Sequence, residues 1–317
     1  MTRLDKKDRI PNAIDPTSLS LKTTFTDLIT QCNNFRKSEL QHLSTFNYKQ
    51  LNDVIDASFE QIDKDCTSKE SNILIYTCFI IDCLRRLCPE RIPDLITCTS
   101  KISTRDNTDA AILISYVSSK LYNQVDDSES LRNKLLLMER EFDLLYQQIP
   151  IIYFLYYIVQ NSPKAVLLNI QKNSFMNIVK KASYSNKEEI RSIAADTLRM
   201  YIDLIKDKPE VNLSEFVNNI LSTIYEKKNN IGALLILAVF FEKKLFQYFP
   251  NPNATFEYIK RVPTINDDEI KVYKTYCELL SLPYMSHDLV KKKIPVLLDF
   301  FKNSKLSTFN KVLKVYA

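Results

Sequence analysis

Ser183-Tyr-Ser-Asn186-Lys-Glu-Glu-Ile190-Arg191-Ser-Ile-Ala194-Ala195-Asp-Thr-Leu198 is the stretch that decides the fold. A polar turn runs into a helix whose Ile190, Ala194 and Leu198 recur at four-residue spacing. That spacing lines one helical face, and the alanines let a second helix approach closely. Arg191 either reaches a carboxylate or carbonyl of an adjacent unit or lies at the surface.

Outward from this stretch the pattern repeats. A polar cluster followed by an apolar helix recurs with Ile73, Ile112, Ile151, Ile190, Ile231 and Ile270 as anchors, separated by 39, 39, 39, 41 and 39 residues. A period near 40 with two helices per unit is what a HEAT or armadillo-like array requires, because one helix pair cannot bury its apolar face alone. The expected fold is all-α: a right-handed α-solenoid of about six or seven helix pairs spanning 18–317, after a disordered tail at 1–17.

Further apolar faces follow the helical period. They are Leu21, Phe25, Leu28, Ile29 and Cys32; Leu51, Val54, Ile55, Phe59 and Ile62; Leu131, Leu135, Met138, Phe142 and Leu145; and Phe216, Ile220, Ile224 and Tyr225. Polar clusters such as Asp126–Ser130, Ser183–Lys187 and Lys227–Asn230 offer N-cap residues. Prolines fall near helix starts, as at Pro150, Pro163, Pro250 and Pro252. No two-residue alternation argues for a sheet.

Composition removes whole classes of function. The chain of 317 residues has one glycine, Gly232. Phosphate-binding loops, dinucleotide-binding turns and nucleophile elbows need several glycines close together. Two histidines, His42 and His287, lie far apart and lack ligand-spaced partners. Neither a zinc site nor a histidine-based triad follows from them. The acidic pairs Glu139/Glu141, Glu188/Glu189 and Asp267/Asp268 read as helix starts or exposed faces. No catalytic residue, cofactor or metal is expected, and the chain does not read as an enzyme.

The charge balance, 43 basic against 38 acidic residues, gives only +5. Lys180-Lys181 and Lys291-Lys292-Lys293 read as solvated helix faces, so nucleic acid is not the expected partner. Seven cysteines at 32, 66, 78, 83, 88, 98 and 277 show no C-x-x-C spacing. They fit small core residues in a reducing compartment, the cytoplasm or the nucleus. The apolar runs Ile149–Val159 and Ala233–Phe241 are too short to span a bilayer. Tyr153, Phe154, Tyr156 and Tyr157 cluster in one helix, and those facing outward are candidate interaction residues.

Two segments carry a family resemblance. Ile190-Arg-Ser-Ile-Ala-Ala-Asp-Thr-Leu-Arg199 and Asn230-Ile231-Gly232-Ala233-Leu234-Leu235-Ile236-Leu237 resemble, in order, stretches of the N-terminal HEAT region of target-of-rapamycin (TOR) serine/threonine kinases. The only glycine falls on the glycine of that motif. The residues that carry the repeat motif are Ile190, Arg191, Ala194, Ala195, Leu198, Gly232, Ala233 and Leu234. The resemblance implies a non-catalytic arm of a dimeric kinase complex that docks a regulatory-associated (Raptor-like) subunit. The alternatives are a stand-alone HEAT/armadillo adaptor and an RNA- or ribosome-associated helical repeat protein.

Overall fold

The computed structural model describes residues 78, 81–101, 108–124, 128–169, 174–208, 211–224, 230–249, 251–263 and 268–281, and the single positions 49, 53, 56, 291 and 295. The proposed tail, the faces at 21–32 and 51–62, Ile73, Tyr225, His42 and His287 lie outside the described residues. Among the described residues the chain is all helical, with no strand. It divides into two compact units, 1–131 with 143–166, and 132–142 with 167–317.

The first unit holds the helical residues 81–87, a 3-10 turn at Pro89–Arg91, α1 (Ile92–Lys101), α2 (Thr108–Leu121) and α4 (Gln148–Asn161). Helix α2 packs against both α1 and α4. Residues 111–115 and 117–121 of α2 are all buried, which leaves Tyr116 as the half-exposed position in that run. Tyr122 and Phe154 meet edge to face at 5.9 Å over the core.

Helix α3 (Ser128–Glu141) contributes residues 132–141 to the second unit, and α5 (Pro163–Leu168) runs from the first unit into the second. The second unit continues through α6 (Ser174–Ser183), α7 (Glu188–Ile205), α8 (Ser214–Thr223), α9 (Asn230–Glu242), α10 (Pro252–Lys260) and α11 (Asp268–Ser281). Helix α9 packs against α6, α7, α8 and α11. Ala233 through Phe241 are all buried there, as expected of a helix apolar on every side. Phe175 of α6 stacks on Tyr201 of α7 at 4.4 Å.

The isoleucine period marks one class of helix. Ile112, Ile151, Ile190, Ile231 and Ile270 fall within the first five residues of α2, α4, α7, α9 and α11. Within the units these helices pack in succession, α2 on α4, and α7 on α9 on α11. Four of the anchors are buried, and Ile231 is half-buried.

Local details depart from the periodic reading. Helix α3 ends at Glu141, so Leu145 lies beyond it and is exposed while Phe142 turns inward. On α8 the buried face is Val217, Ile220 and Leu221. Phe216 lies beside it, half-buried, stacked on Phe240 at 6.1 Å. The cluster Ser183–Lys187 supplies no side-chain cap: Lys187 occupies the N-cap position of α7 without one, as Leu213 does for α8. Ser185 Oγ instead accepts from Lys187 N, and Asn212 Oδ1 from Ser214 N, so these residues hold the turn before the helix. Glu139 and Glu141 lie in the last turn of α3, where the macrodipole disfavours them. Lys181 is not simply solvated: its ammonium donates to Glu139 O at 3.1 Å, and Asn177 Nδ2 donates to Glu139 Oε1 at 2.9 Å.

Candidate interaction surface

Helix α4 reads Gln-Ile-Pro-Ile-Ile-Tyr-Phe-Leu-Tyr-Tyr-Ile-Val-Gln-Asn. Its buried residues are Ile151, Ile152, Phe154, Leu155, Tyr157, Ile158 and Val159. Tyr153, Tyr156 and Gln160 remain, at three- and four-residue spacing, on the outward side. Tyr157 is the hub. Its ring lies 6.2 Å from Tyr153, 5.2 Å from Tyr156 and 5.1 Å from Tyr116 of α2. The half-exposed Tyr116, Tyr153 and Tyr156 thus surround a buried Tyr157.

The electrostatics suit binding rather than proton transfer. Burial pushes the Tyr157 phenol well above its ordinary value, with Tyr153, Tyr156 and Tyr116 adding to the effect. It stays neutral at physiological pH. Lys120 places its ammonium 3.8 Å from the Tyr116 ring centre and 3.5 Å from Asp82 Oδ1, which also accepts from Arg85 Nε at 2.6 Å. Rigid tyrosines held this way offer large contact area at small entropic cost. Burial raises the thiol pKa of both Cys88 and Cys277, which makes each a poorer nucleophile.

The repeat-motif residues support the packing instead. Ile190, Arg191, Ala194, Ala195 and Leu198 in α7, and Ala233 and Leu234 in α9, are buried. Arg191 is buried rather than at the surface, and its Nη1 donates to Ser185 O at 3.0 Å, in the turn before its own helix. Gly232 faces the end of α6, where a Cβ would meet Ser183 O and the Tyr184 ring.

A series of polar links between helices was not legible beforehand. Asn161 Nδ2 donates to Ser119 Oγ across 42 residues, and Ser162 Oγ to Ser119 O across 43. Lys120 and Asp82 are 38 apart. In the second unit Arg199 Nε donates to Glu242 Oε2 across 43 residues, and Lys243 Nζ to Asp203 Oδ2 across 40. The Cys277 thiol donates to Leu234 O across 43. The available signal was polar or opposite-charge pairs one period apart, which matters only once the period is accepted.

Among the described residues no group of three or more His, Cys, Asp or Glu could hold a metal ion, and no helix is long and apolar enough to cross a membrane. No family model, curated protein or solved structure matches the chain.

Proposed function

We propose that this chain is a non-catalytic protein-interaction scaffold, built as a HEAT/armadillo-like array, that binds a protein through Tyr116, Tyr153 and Tyr156. The observation that carries the reading is the hydrogen bonding between helices at separations from 35 (Ser115 Oγ to Pro150 O) to 43 residues (Ser162 Oγ to Ser119 O). Links of about one period are what stacked repeats make. The finer reading is the TOR-like arm that docks a regulatory-associated subunit. Its two segments lie on α7 and α9, neighbours in the stack. The alternative is a stand-alone adaptor.

The test is native affinity isolation of the endogenous chain, wild type against Tyr153→Ala/Tyr156→Ala. A stoichiometric protein partner held by the wild type and lost by the variant supports the surface. Equal recovery by both sinks it. The size of the endogenous polypeptide separates the finer readings. A band several times heavier than 37.0 kDa supports the kinase arm, and one at 37.0 kDa supports the adaptor. Recovery of RNA alone, lost with rising salt, would favour the nucleic-acid reading.

A further inference from the structure

Helix α3 has a second face that its packing does not use. Leu135 and Phe142 are buried on the inward side, and α6 holds Glu139 through Asn177. On the other side Arg132, Asn133, Leu136, Leu137 and Arg140 are all exposed. Spacings of one, three and four residues place these five side by side on a helix. Leu136 is 38% exposed and Leu137 51%, on a well-formed helix rather than a loop. Among the described residues neither Arg132 nor Arg140 has an ion-pair or hydrogen-bond partner. Of the three acidic residues on α3, Glu129 lies in the first turn, Glu139 is already held, and the half-buried Glu141 ends the helix just past Arg140.

An exposed arginine alone means nothing. Here an exposed leucine pair is bracketed by two arginines, one about a turn before it and one about a turn after. The complement is a surface with apolar anchors flanked by carboxylates at helical spacing. A second copy of this chain does not supply it. Two-fold antiparallel pairing would bring Arg132 against the other copy's Arg140, a like-charge contact. A bilayer does not supply it either, because interfacial helices bury a broad apolar face and this one offers two leucines beside Asn133.

We infer that this face of α3 docks an acidic amphipathic helix of a protein partner. Leu136 and Leu137 take its apolar anchors, and Arg132 and Arg140 pair with carboxylates about one turn to either side. The inference rests on the scaffold reading only in taking the partner to be a protein. It uses none of the tyrosines.

The test is fluorescence anisotropy on the full chain with three labelled helical peptides. One carries leucines flanked by glutamates, one has lysines in place of those glutamates, and one has serines in place of the leucines. The wild type is expected to bind the first at least about tenfold more tightly than either of the others. Arg132→Glu/Arg140→Glu is expected to reverse the preference toward the lysine peptide, a gain that misfolding cannot produce. Leu136→Ser/Leu137→Ser is expected to weaken binding of either charged peptide. No preference for the acidic peptide, or a preference unchanged by the arginine reversal, overturns the proposal. So does arginine-dependent binding to phosphatidylserine vesicles without peptide binding, or a dimer in sedimentation that Leu136→Ser/Leu137→Ser dissolves. Failure of the tyrosine variants with intact peptide binding would count against the tyrosine surface alone.

Discussion

Gly232 on α9 lies directly against the Ser183 carbonyl at the end of α6, so close that an added Cβ would overlap the oxygen and stand 2.6 Å from the carbonyl carbon. A helical glycine normally gains about 1 kcal/mol on replacement by alanine. Here the obstacle is backbone, which cannot swing aside, and overpacking costs about 1–3 kcal/mol. Gly232→Ala is therefore expected to lower stability in urea unfolding. A higher midpoint would show that α6 and α9 separate easily.

Lys244 is the reverse case. It ends α9 with φ 59, in the left-handed region. Leu245 N bonds to Phe240 O and Lys244 N to Phe241 O, the pattern that usually carries glycine at this position. Lys244→Gly is expected to raise stability by about 1 kcal/mol, read as a higher melting temperature. No gain would mean that the lysine side chain contributes as much as the backbone strain costs.

Arg199 bridges two carboxylates, donating to Asp196 Oδ1 at 2.6 Å and Glu242 Oε2 at 2.9 Å. Burial raises the Asp196 carboxyl, and Arg199 opposes that rise. A double-mutant cycle on Arg199→Ala and Glu242→Ala is expected to give a coupling of about 1 kcal/mol, reduced by salt. Arg199→Ala should cost more than Glu242→Ala, since it also strands Asp196. Strict additivity would remove this link from the account of α7 against α9.

Burial pushes the Tyr201 phenol from 10.0 up to about 12. The folded state therefore keeps a proton that the unfolded chain releases near pH 10. The contribution is complete below pH 10 and is lost as pH rises toward 12. That difference amounts to about 2–3 kcal/mol. Tyr201→Phe is expected to flatten the fall in stability between these values, measured by urea unfolding at several pH values. An unchanged slope would point to other groups.

Ala194 is fully buried between Ile190 and Leu198 on α7. Ala194→Asp places an unpaired charge there and is expected to cost roughly 3 kcal/mol or more, lowering the melting temperature sharply. An unchanged melting temperature would mean that this face is open to water.

How far the sequence led depended on what each feature answers to. Ile112, Ile151, Ile190 and Ile270 were legible because burial of one helical face repeats with the helix and with the unit. Leu145 was misplaced because α3 stops at Glu141 with no glycine or proline to mark the end, while the apolar spacing runs on. Arg191 was placed either on an adjacent unit or at the surface, and its bond to the Ser185 carbonyl was not foreseen, because spacing along one helix says nothing of the turn before it. Tyr153, Tyr156 and Tyr157 were visible as a cluster, but Tyr116 joins them only through the packing of α2 on α4. The α3 face was hidden for a similar reason: Leu136 and Leu137 look like core residues until Leu135 and Phe142 are seen to fill that role.

The one-period reach of the links between helices also bears on synthesis. A helix whose partner lies 38 to 43 residues downstream, as Lys120 does from Asp82 or Glu242 from Arg199, waits only for that length of nascent chain. Such short loops close quickly and at small entropic cost. Helix α9, buried from Ala233 through Phe241, shows the consequence. Ala233 through Phe241 leave the ribosome able to cover themselves on α6, α7 and α8, yet the side that meets α11 stays bare until Asp268–Ser281 has been made. That interval is when the growing chain most needs a chaperone.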